Sequence, residues 1–270
     1  MKLELTKHHG LGNDFLVAFD PPVDDLGALA RLLCDRRRGI GADGLLVVTP
    51  EPGYTARMTL HNADGSRAEM SGNGIRCFAQ AVAARHESME PQRILTDSGP
   101  RVVTLFATER ADTIEASVDM GEVTTIDAPD GWDTVGCHPD RPVVHLSLGN
   151  PHTVVGVDDV SAVDLLTLGR QVPATNLEIV EPGEGTNEIR MRVHERGAGI
   201  TEACGTGACA SAWAARSWGL VPASATELVV HMDGGCAKVR LDEPSAGRVT
   251  LIGPSALVGH ITVEIPQAAT

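Results

Sequence analysis

Two alanine-rich stretches with few helix-breaking residues, 75–85 and 208–216, are the clearest helical segments of the chain. Two shorter segments, 26–33 and 163–168, carry leucines at helical spacing and predict amphipathic helices. Runs of apolar and β-branched residues predict strands at 45–49, 102–107, 143–148, 249–252 and 261–265. Helices and strands both recur along the chain, which predicts an α/β (α+β) fold.

Each alanine-rich helix begins at the same glycine motif. Residues 69–74 read EMSGNG and residues 202–207 read EACGTG, so both match E-x-[S/C]-G-[N/T]-G. A short glycine motif can recur by chance, and this pair alone would not establish a repeat.

A second pair of motifs lies upstream of the first. Residues 11–17 and 148–154 both read L-G-N-x-x-x-V, starting 58 residues before the first glycine motif and 54 before the second. Two pairs in the same order at similar separation indicate an internal duplication. We therefore expect two pseudo-twofold lobes, 1–112 and 113–251, with residues 252–270 returning to the first lobe and the active site in the cleft between them.

Composition narrows the class of partner. The chain carries 36 acidic and 22 basic residues, a formal charge of −14, and only 3% aromatic residues. Negative charge repels nucleic acid and anionic membranes, and few rings are available to stack on bases. A small-molecule partner, no nucleic acid and no membrane are expected. With no membrane-length apolar run, we also expect a cytoplasmic protein.

Cysteine, histidine and lysine usage argues against a metal or a cofactor. The six cysteines are sparse and form no C-x-x-C pair, and no H-E-x-x-H pattern occurs, so we expect reduced thiols and no metal. Lys2, Lys7 and Lys238 are the only lysines, which leaves few candidates for a pyridoxal Schiff base. We expect side chains alone to carry the chemistry.

The starts of the two long helices are the candidate chemical centres. The first turn of a helix presents unpaired N–H groups and partial positive charge, which bind a carboxylate. A thiol placed there is expected to have a depressed pKa, so Cys204 is a candidate base, with Ser71 at the repeated position. An isolated cysteine is more often a small buried hydrophobe, but the duplicated motif favours catalysis. Two such groups on opposite faces of an α-carbon would suit racemisation.

Residues 39–44, GIGADG, match the dinucleotide-binding pattern G-x-G-x-x-G. That fingerprint requires a strand before it and a helix after it, whereas here a leucine-rich helix precedes and a strand follows. We expect a helix-to-strand turn whose glycines supply positive φ. The preceding arginines, residues 36–38, are expected to be a solvated helix end.

At several of these motifs the sequence resembles the diaminopimelate epimerase family over essentially the whole chain. The matching stretches are 7–15 (KHHGLGNDF), 62–66 (NADGS), 71–77 (SGNGIRC), 149–152 (GNPH), 195–199 (ERGAG) and 203–208 (ACGTGA). The resemblance implies two lobes, each a mostly antiparallel sheet around a central helix. It also implies cofactor-independent interconversion of LL- and meso-diaminopimelate, a diamino dicarboxylic acid of lysine and peptidoglycan synthesis, and it leaves a homodimer open.

The resemblance also implies roles for individual residues. Cys204 takes the place of one catalytic thiol, and His152 and Glu195 are placed to tune the bases. The implied contacts to the α-carboxylate are Gly205 and Thr206 from one lobe and Gly72 and Asn73 from the other. The implied contacts to the distal amino-acid end are Asn13, Asn62, Asn150, Asn176, Glu195 and Arg196. Each asparagine taken singly could instead serve turn chemistry.

One departure matters for the chemistry. Ser71 stands where the family has its other catalytic cysteine, and a hydroxyl is a far weaker acid than a thiol. The alternatives are a related amino-acid racemase, a one-base dehydratase, a Ser71 form that binds but epimerises poorly, and a non-catalytic amino-acid-binding protein. Proline and hydroxyproline racemases carry a histidine soon after the first catalytic position, where this chain has Asn73.

Overall fold

The computed structural model describes residues 2–241 and 247–265. Contacts between residues divide the chain into two compact units. The first contains residues 2–118 and 254–265, and the second contains 119–241 and 247–253. These bounds differ by a few residues from those expected from the sequence.

The first unit is a set of strands with two helices. Its elements are β1 (Lys2–Gly10), β2 (Asn13–Phe19), α1 (Leu26–Cys34), β3 (Gly44–Thr49), β4 (Ala56–Asn62), β5 (Arg67–Ala68), α2 (Gly72–His86), β6 (Gln92–Thr96), β7 (Gly99–Ala107) and β8 (Thr113–Glu122), which runs on into the second unit. β2 pairs with β3 and β4 with β6 in parallel. The pairs β1–β2, β3–β4, β4–β5, β6–β7 and β7–β8 are antiparallel.

The second unit repeats this succession. Its elements are β9 (Thr124–Thr125), β10 (Val143–Ser147), β11 (Pro151–Gly156), α3 (Leu165–Gly169), β12 (Asn176–Pro182), β13 (Glu188–Glu195), β14 (Gly199–Thr201), α4 (Gly205–Trp218), β15 (Glu227–Met232), β16 (Gly235–Leu241) and β17 (Arg248–Glu264), with short 3-10 turns at Trp132–Thr134 and Val160–Ala162. β11 pairs with β12 and β13 with β15 in parallel. The pairs β10–β11, β12–β13, β13–β14, β15–β16 and β16–β17 are antiparallel. The mostly antiparallel, duplicated fold expected from the sequence is confirmed.

The last strand differs from its prediction. The segments 249–252 and 261–265 were expected as separate strands, but β17 is one strand of 17 residues. Residues 249–252 pair with β16, and residues 256–264 pair antiparallel with β1. Gly253 and Pro254 suggest a break because both weaken strands, yet here they lie where the strand passes from one pairing partner to the other.

Helices α2 and α4 are the centres of their units. Residues 72–83 of α2 are all buried, and so are residues 205–212 of α4. A helix buried all round needs small or apolar residues on every face, which explains the alanine-rich composition. Among the described residues, no helix is both long and apolar enough to cross a membrane.

The segment 39–44 is a turn between α1 and β3, as expected from its order of elements. Of its glycines, only Gly41 has positive φ, at +85°. Gly39 is needed for space instead, because a Cβ there would lie 2.3 Å from the Leu32 carbonyl oxygen. The arginines at 36–38 are exposed, as expected for a solvated helix end, and the guanidinium of Arg36 also pairs with Asp14 at 2.6 Å and Asp43 at 2.8 Å.

Candidate active site

The two glycine motifs begin helices in the same way. Ser71 is the N-cap of α2, where its Oγ accepts a hydrogen bond from the Gly74 N–H at 3.0 Å. Cys204 is the N-cap of α4, where its Sγ accepts from the Gly207 N–H at 3.3 Å. Both caps have extended backbone, with φ of −140° and −127°. Each side chain therefore lies at the positive end of a buried helix.

The second glycine of each motif, Gly74 or Gly207, makes room for the capping side chain. A Cβ at Gly207 would lie 2.7 Å from Oε1 of Glu178 and 3.2 Å from Sγ of Cys204. A Cβ at Gly74 would lie 3.0 Å from Cβ of Ser71. Any larger residue would push the capping group out of place.

The expectation of a depressed pKa for Cys204 is wrong in this structure. The residue is only 4% exposed, and burial, followed by the negative charges of Glu195 and Glu178, raises the pKa of the thiol well above its usual value. Hydrogen bonds from Thr206 and the Gly207 N–H oppose the shift but are outweighed. Desolvation and like charge thus override the helix dipole, and the resting group is a protonated thiol.

Glu195 lies at the end of β13 and is one of the acids beside the thiol. Its carboxylate accepts a hydrogen bond from the Thr201 hydroxyl at 2.5 Å and another from the Cys204 thiol. Burial raises the pKa of the Glu195 carboxyl, and the two hydrogen bonds partly offset this. A pair hydrogen-bonded in this way can exchange a proton directly, and the tuning role of Glu195 stays a prediction.

His152 reaches Cys204 only through other side chains. Its ring is fully buried, with Nδ1 2.6 Å from Oε1 of Glu178 and Nε2 3.1 Å from Oδ1 of Asn150. Asn150 in turn donates to the Thr206 hydroxyl at 3.2 Å. Sequence reasoning missed Glu178, although an acid inside the otherwise apolar start of β12 is a signal that could have pointed to it.

Ser71 has different surroundings. Its helix start is braced by Asn73, whose amide donates to Oδ1 of Asn13 at 3.1 Å and accepts from Arg76 at 2.7 Å. Arg76, fully buried, also donates to the carbonyl oxygens of Gly72 and Pro254. Arg76 too was missed by the sequence reasoning, since a helical arginine is usually exposed.

The remaining expected residues take up positions at strand ends within their own units. Asn13 donates to Oδ2 of Asp43 at 2.7 Å, and Asn62 donates to the Ser66 hydroxyl at 3.0 Å. Asn176 donates to the Pro151 carbonyl and accepts from the Arg196 N–H at 2.9 Å. Asn150, His152, Asn176, Glu195, Arg196, Cys204, Gly205 and Thr206 all belong to the second unit, and Asn13, Asn62, Ser71, Gly72 and Asn73 to the first.

Known proteins similar to this chain agree on one family. Residues 5–126 and 144–258 match the family model of diaminopimelate epimerase. A diaminopimelate epimerase from Halothermothrix orenii is 36% identical over 293 aligned positions, covering 98% of this chain and 99% of the relative. One from Thermosynechococcus vestitus is 38% identical over 288 positions, covering 96% and 98%.

Solved structures show the same fold at low identity. A phenazine biosynthesis protein of the PhzF family from Bacillus anthracis matches with a TM-score of 0.76 at 14% identity, covering 98% of this chain and 100% of that one. A hydroxyproline epimerase from Agrobacterium vitis, with trans-4-hydroxy-L-proline bound, matches with a TM-score of 0.69 at 17% identity, covering 97% and 91%.

The duplicated fold, the helix-capping thiol and the relatives named as epimerases define an isomerase of the racemase and epimerase class. The family model covers most of the chain, and the relatives match it nearly from end to end. The chain therefore belongs to the diaminopimelate epimerase family, which confirms the resemblance found in its motifs.

Proposed function

We propose that this chain is a cofactor-independent, cytoplasmic epimerase that interconverts LL- and meso-diaminopimelate by proton transfer at the α-carbon. Family membership supports the substrate. The observation that carries the chemistry is the buried thiol of Cys204, capping α4 and hydrogen-bonded to the Glu195 carboxylate. The partner is accordingly a small diamino dicarboxylic acid.

Cys204 would act as one proton-transferring group. Glu195 takes the thiol proton, and the thiolate so formed removes the α-proton of the substrate. A thiolate whose conjugate acid has a raised pKa is a stronger base, which suits a weakly acidic C–H bond. In the reverse direction the protonated thiol delivers its proton to the carbanion.

The helix start would stabilise the charge that develops on the substrate. The N–H groups of Gly205 and Thr206 belong to the first turn of α4, and those of Gly72 and Asn73 belong to the first turn of α2. Such groups bind a carboxylate and stabilise it further as negative charge spreads onto it from the α-carbon. Asn13, Asn62, Asn150, Asn176, Glu195 and Arg196 are the proposed contacts to the distal end.

Ser71 would occupy the second proton-transfer position. Its hydroxyl is a poor acid and base, and no carboxylate is found among its hydrogen-bond partners in the described residues. This favours a second candidate function, one-base chemistry in which Cys204 exchanges the α-proton quickly while inversion is slow.

Solvent exchange tests both candidates. Each stereoisomer is incubated with the protein in heavy water, α-deuterium is followed by NMR, and the stereoisomers are separated by chiral chromatography. We expect exchange of at least one isomer by the parent protein and loss of exchange in Cys204→Ala. The control Cys236→Ala should exchange at the rate of the parent, since Cys236 is exposed on β16.

Exchange and inversion at equal rates would support the epimerase, and exchange much faster than inversion would support one-base chemistry. Turnover of proline or histidine in preference to diaminopimelate would instead indicate a related amino-acid racemase. If neither diaminopimelate isomer exchanges above background and Cys204→Ala changes nothing, the catalytic proposal fails and an amino-acid-binding protein remains.

A further inference from the structure

Glu178 is a buried acid to which the proposed mechanism gives no role. It lies in β12 with no side-chain exposure, and its neighbours Leu177 and Ile179 are apolar and buried. An ionised carboxylate is costly to bury unless it is paired, so packing alone does not account for it.

A continuous run of side-chain hydrogen bonds joins Glu178 to Cys204. Oε1 of Glu178 lies 2.6 Å from Nδ1 of His152, whose Nε2 lies 3.1 Å from Oδ1 of Asn150. Nδ2 of Asn150 lies 3.2 Å from Oγ1 of Thr206, which lies 3.5 Å from Sγ of Cys204. A carboxylate can only accept a hydrogen bond, so Nδ1 of His152 carries a proton and donates it to Glu178. This hydrogen bond fixes the orientation of the ring.

The second oxygen of Glu178 adds an independent observation. Oε2 is buried and has no hydrogen-bond partner among the residues that the structure describes. The carboxylate also lies against the first turn of α4, because a Cβ at Gly207 would be 2.7 Å from Oε1. Its negative charge is therefore held directly behind the helix start that carries Cys204.

We propose that Glu178 is a positioning residue: through His152, Asn150 and Thr206 it orients the hydrogen bond to Cys204, and its own negative charge keeps the thiol protonated between turnovers. Its role in catalysis rests on the proposed function, whereas its effect on the thiol does not. Glu195 on β13 also faces Cys204, and the charge of His152 on β11 acts on Glu195. The raised pKa of Cys204, to which Glu178 contributes after burial and Glu195, agrees with this arrangement.

Glu178→Gln tests the charge, because glutamine keeps the shape and can still accept from His152. Thiolate formation is followed by absorbance near 240 nm against pH, in a Cys236→Ser background, with the Cys204→Ala variant subtracted. We expect the midpoint for Cys204 to fall by about one pH unit when the like charge is removed. Glu181→Gln is the matched control, since Glu181 lies on the same strand but bonds to the Val160 N–H, and it should leave the midpoint unchanged.

Two further variants separate charge from positioning and keep the test open if Glu178→Gln does not fold. Glu178→Asp keeps the charge but shortens the side chain, so the midpoint should stay within a few tenths of a pH unit. Turnover should fall several-fold in kcat, as expected for a displaced positioning group. Thr206→Val removes a hydrogen bond to the thiol and should raise the midpoint.

An unchanged Cys204 midpoint in folded Glu178→Gln would overturn the proposal. So would an unchanged midpoint in Thr206→Val together with unchanged kcat in Glu178→Asp. Because the titration needs no substrate, it gives its answer even if diaminopimelate is not turned over, so a failure here is distinct from a failure of the proposed function.

Discussion

The helix starts at Ser71 and Cys204 have the same backbone geometry but different chemical surroundings. Both residues cap a buried helix through the same hydrogen bond, and both follow strands paired in the same succession. Apart from the capping residue itself, the side chain nearest to a Cβ at Gly74 is Leu46 of β3, and the one nearest to a Cβ at Gly207 is Glu178 of β12. The first helix start thus has an apolar neighbour where the second has an acid.

The strand register identifies corresponding residues in the two units. Phe15 pairs with Gly44 between β2 and β3, as His152 pairs with Asn176 between β11 and β12, so Phe15 and His152 occupy corresponding positions. On the adjoining strands, His8 pairs with Phe15 and Leu146 pairs with His152. Each of these two strand pairs therefore has one buried histidine, but on opposite strands of the pair. The duplication preserved the capped helix starts while the titratable side chains around them diverged.

The largest expected effect comes from removing the better of the two proton-transferring groups. Cys204→Ala should lower α-proton exchange by about 10³-fold, the range for loss of a general acid or base, while Ser71→Ala should lower it only a few-fold. Both rates are measured by deuterium incorporation. Equal losses in the two variants would show that the two helix starts contribute alike.

Acid stability should depend on the histidine of the first unit. Burial lowers the pKa of His8 from 6.5 to about 4, outweighing its hydrogen bond to Gln80. The folded state keeps the His8 ring neutral. The contribution of His8 to the free energy of unfolding is therefore fully present above pH 6.5 and is lost as the pH falls towards 4. The loss amounts to about 3 kcal/mol.

Urea unfolding of His8→Gln between pH 7 and pH 4 checks this. The variant should lack this part of the pH dependence, while His86→Gln, on the exposed end of α2, should retain it. An identical pH slope in His8→Gln and the parent protein would contradict the assignment.

Restoring symmetry at the capping position should increase inversion. We expect Ser71→Cys to raise epimerisation by roughly 10-fold or more, because a thiol exchanges protons far more readily than a hydroxyl. The ratio of inversion to exchange should move towards one. No rise in rate would mean that the serine is an adapted part of the site.

The smallest effect should appear at alkaline pH in the second unit. The folded-state pKa of Cys204 is raised above 9.0, the value of a free thiol, so its contribution to stability is complete below about pH 9 and is lost as the pH rises through the folded-state value. Melting temperatures from pH 8 to 10.5 should fall less in Cys204→Ala than in the parent. Parallel curves for the two proteins would argue against a raised pKa.

Much of the scaffold could be predicted from local pattern. Alanine-rich stretches after glycine motifs gave α2 and α4, since a helix buried on every face leaves that signature. The motifs also gave the caps at Ser71 and Cys204, because a side chain that can accept a hydrogen bond before a glycine-rich first turn is a local feature.

The electrostatics of the site could not be predicted locally. A helix start lowers the pKa of a thiol, and only the fold shows that Cys204 is buried beside two acids that raise it. Glu178 is distant in sequence from His152, and the parallel pairing of β11 with β12 is what brings them together. The alignment of β11 with β12 cannot be read from the sequence of either strand alone.

The shared strand β17 has a consequence for any attempt to separate the duplicated halves. A fragment ending near residue 118 would lack the segment that pairs along β1 and would leave β1 with an unpaired edge, open to aggregation. A gene divided between the two units would therefore not encode a complete first unit. The segment that completes the first unit is encoded after the second unit, so the first unit gains its final strand only once the second has been synthesised.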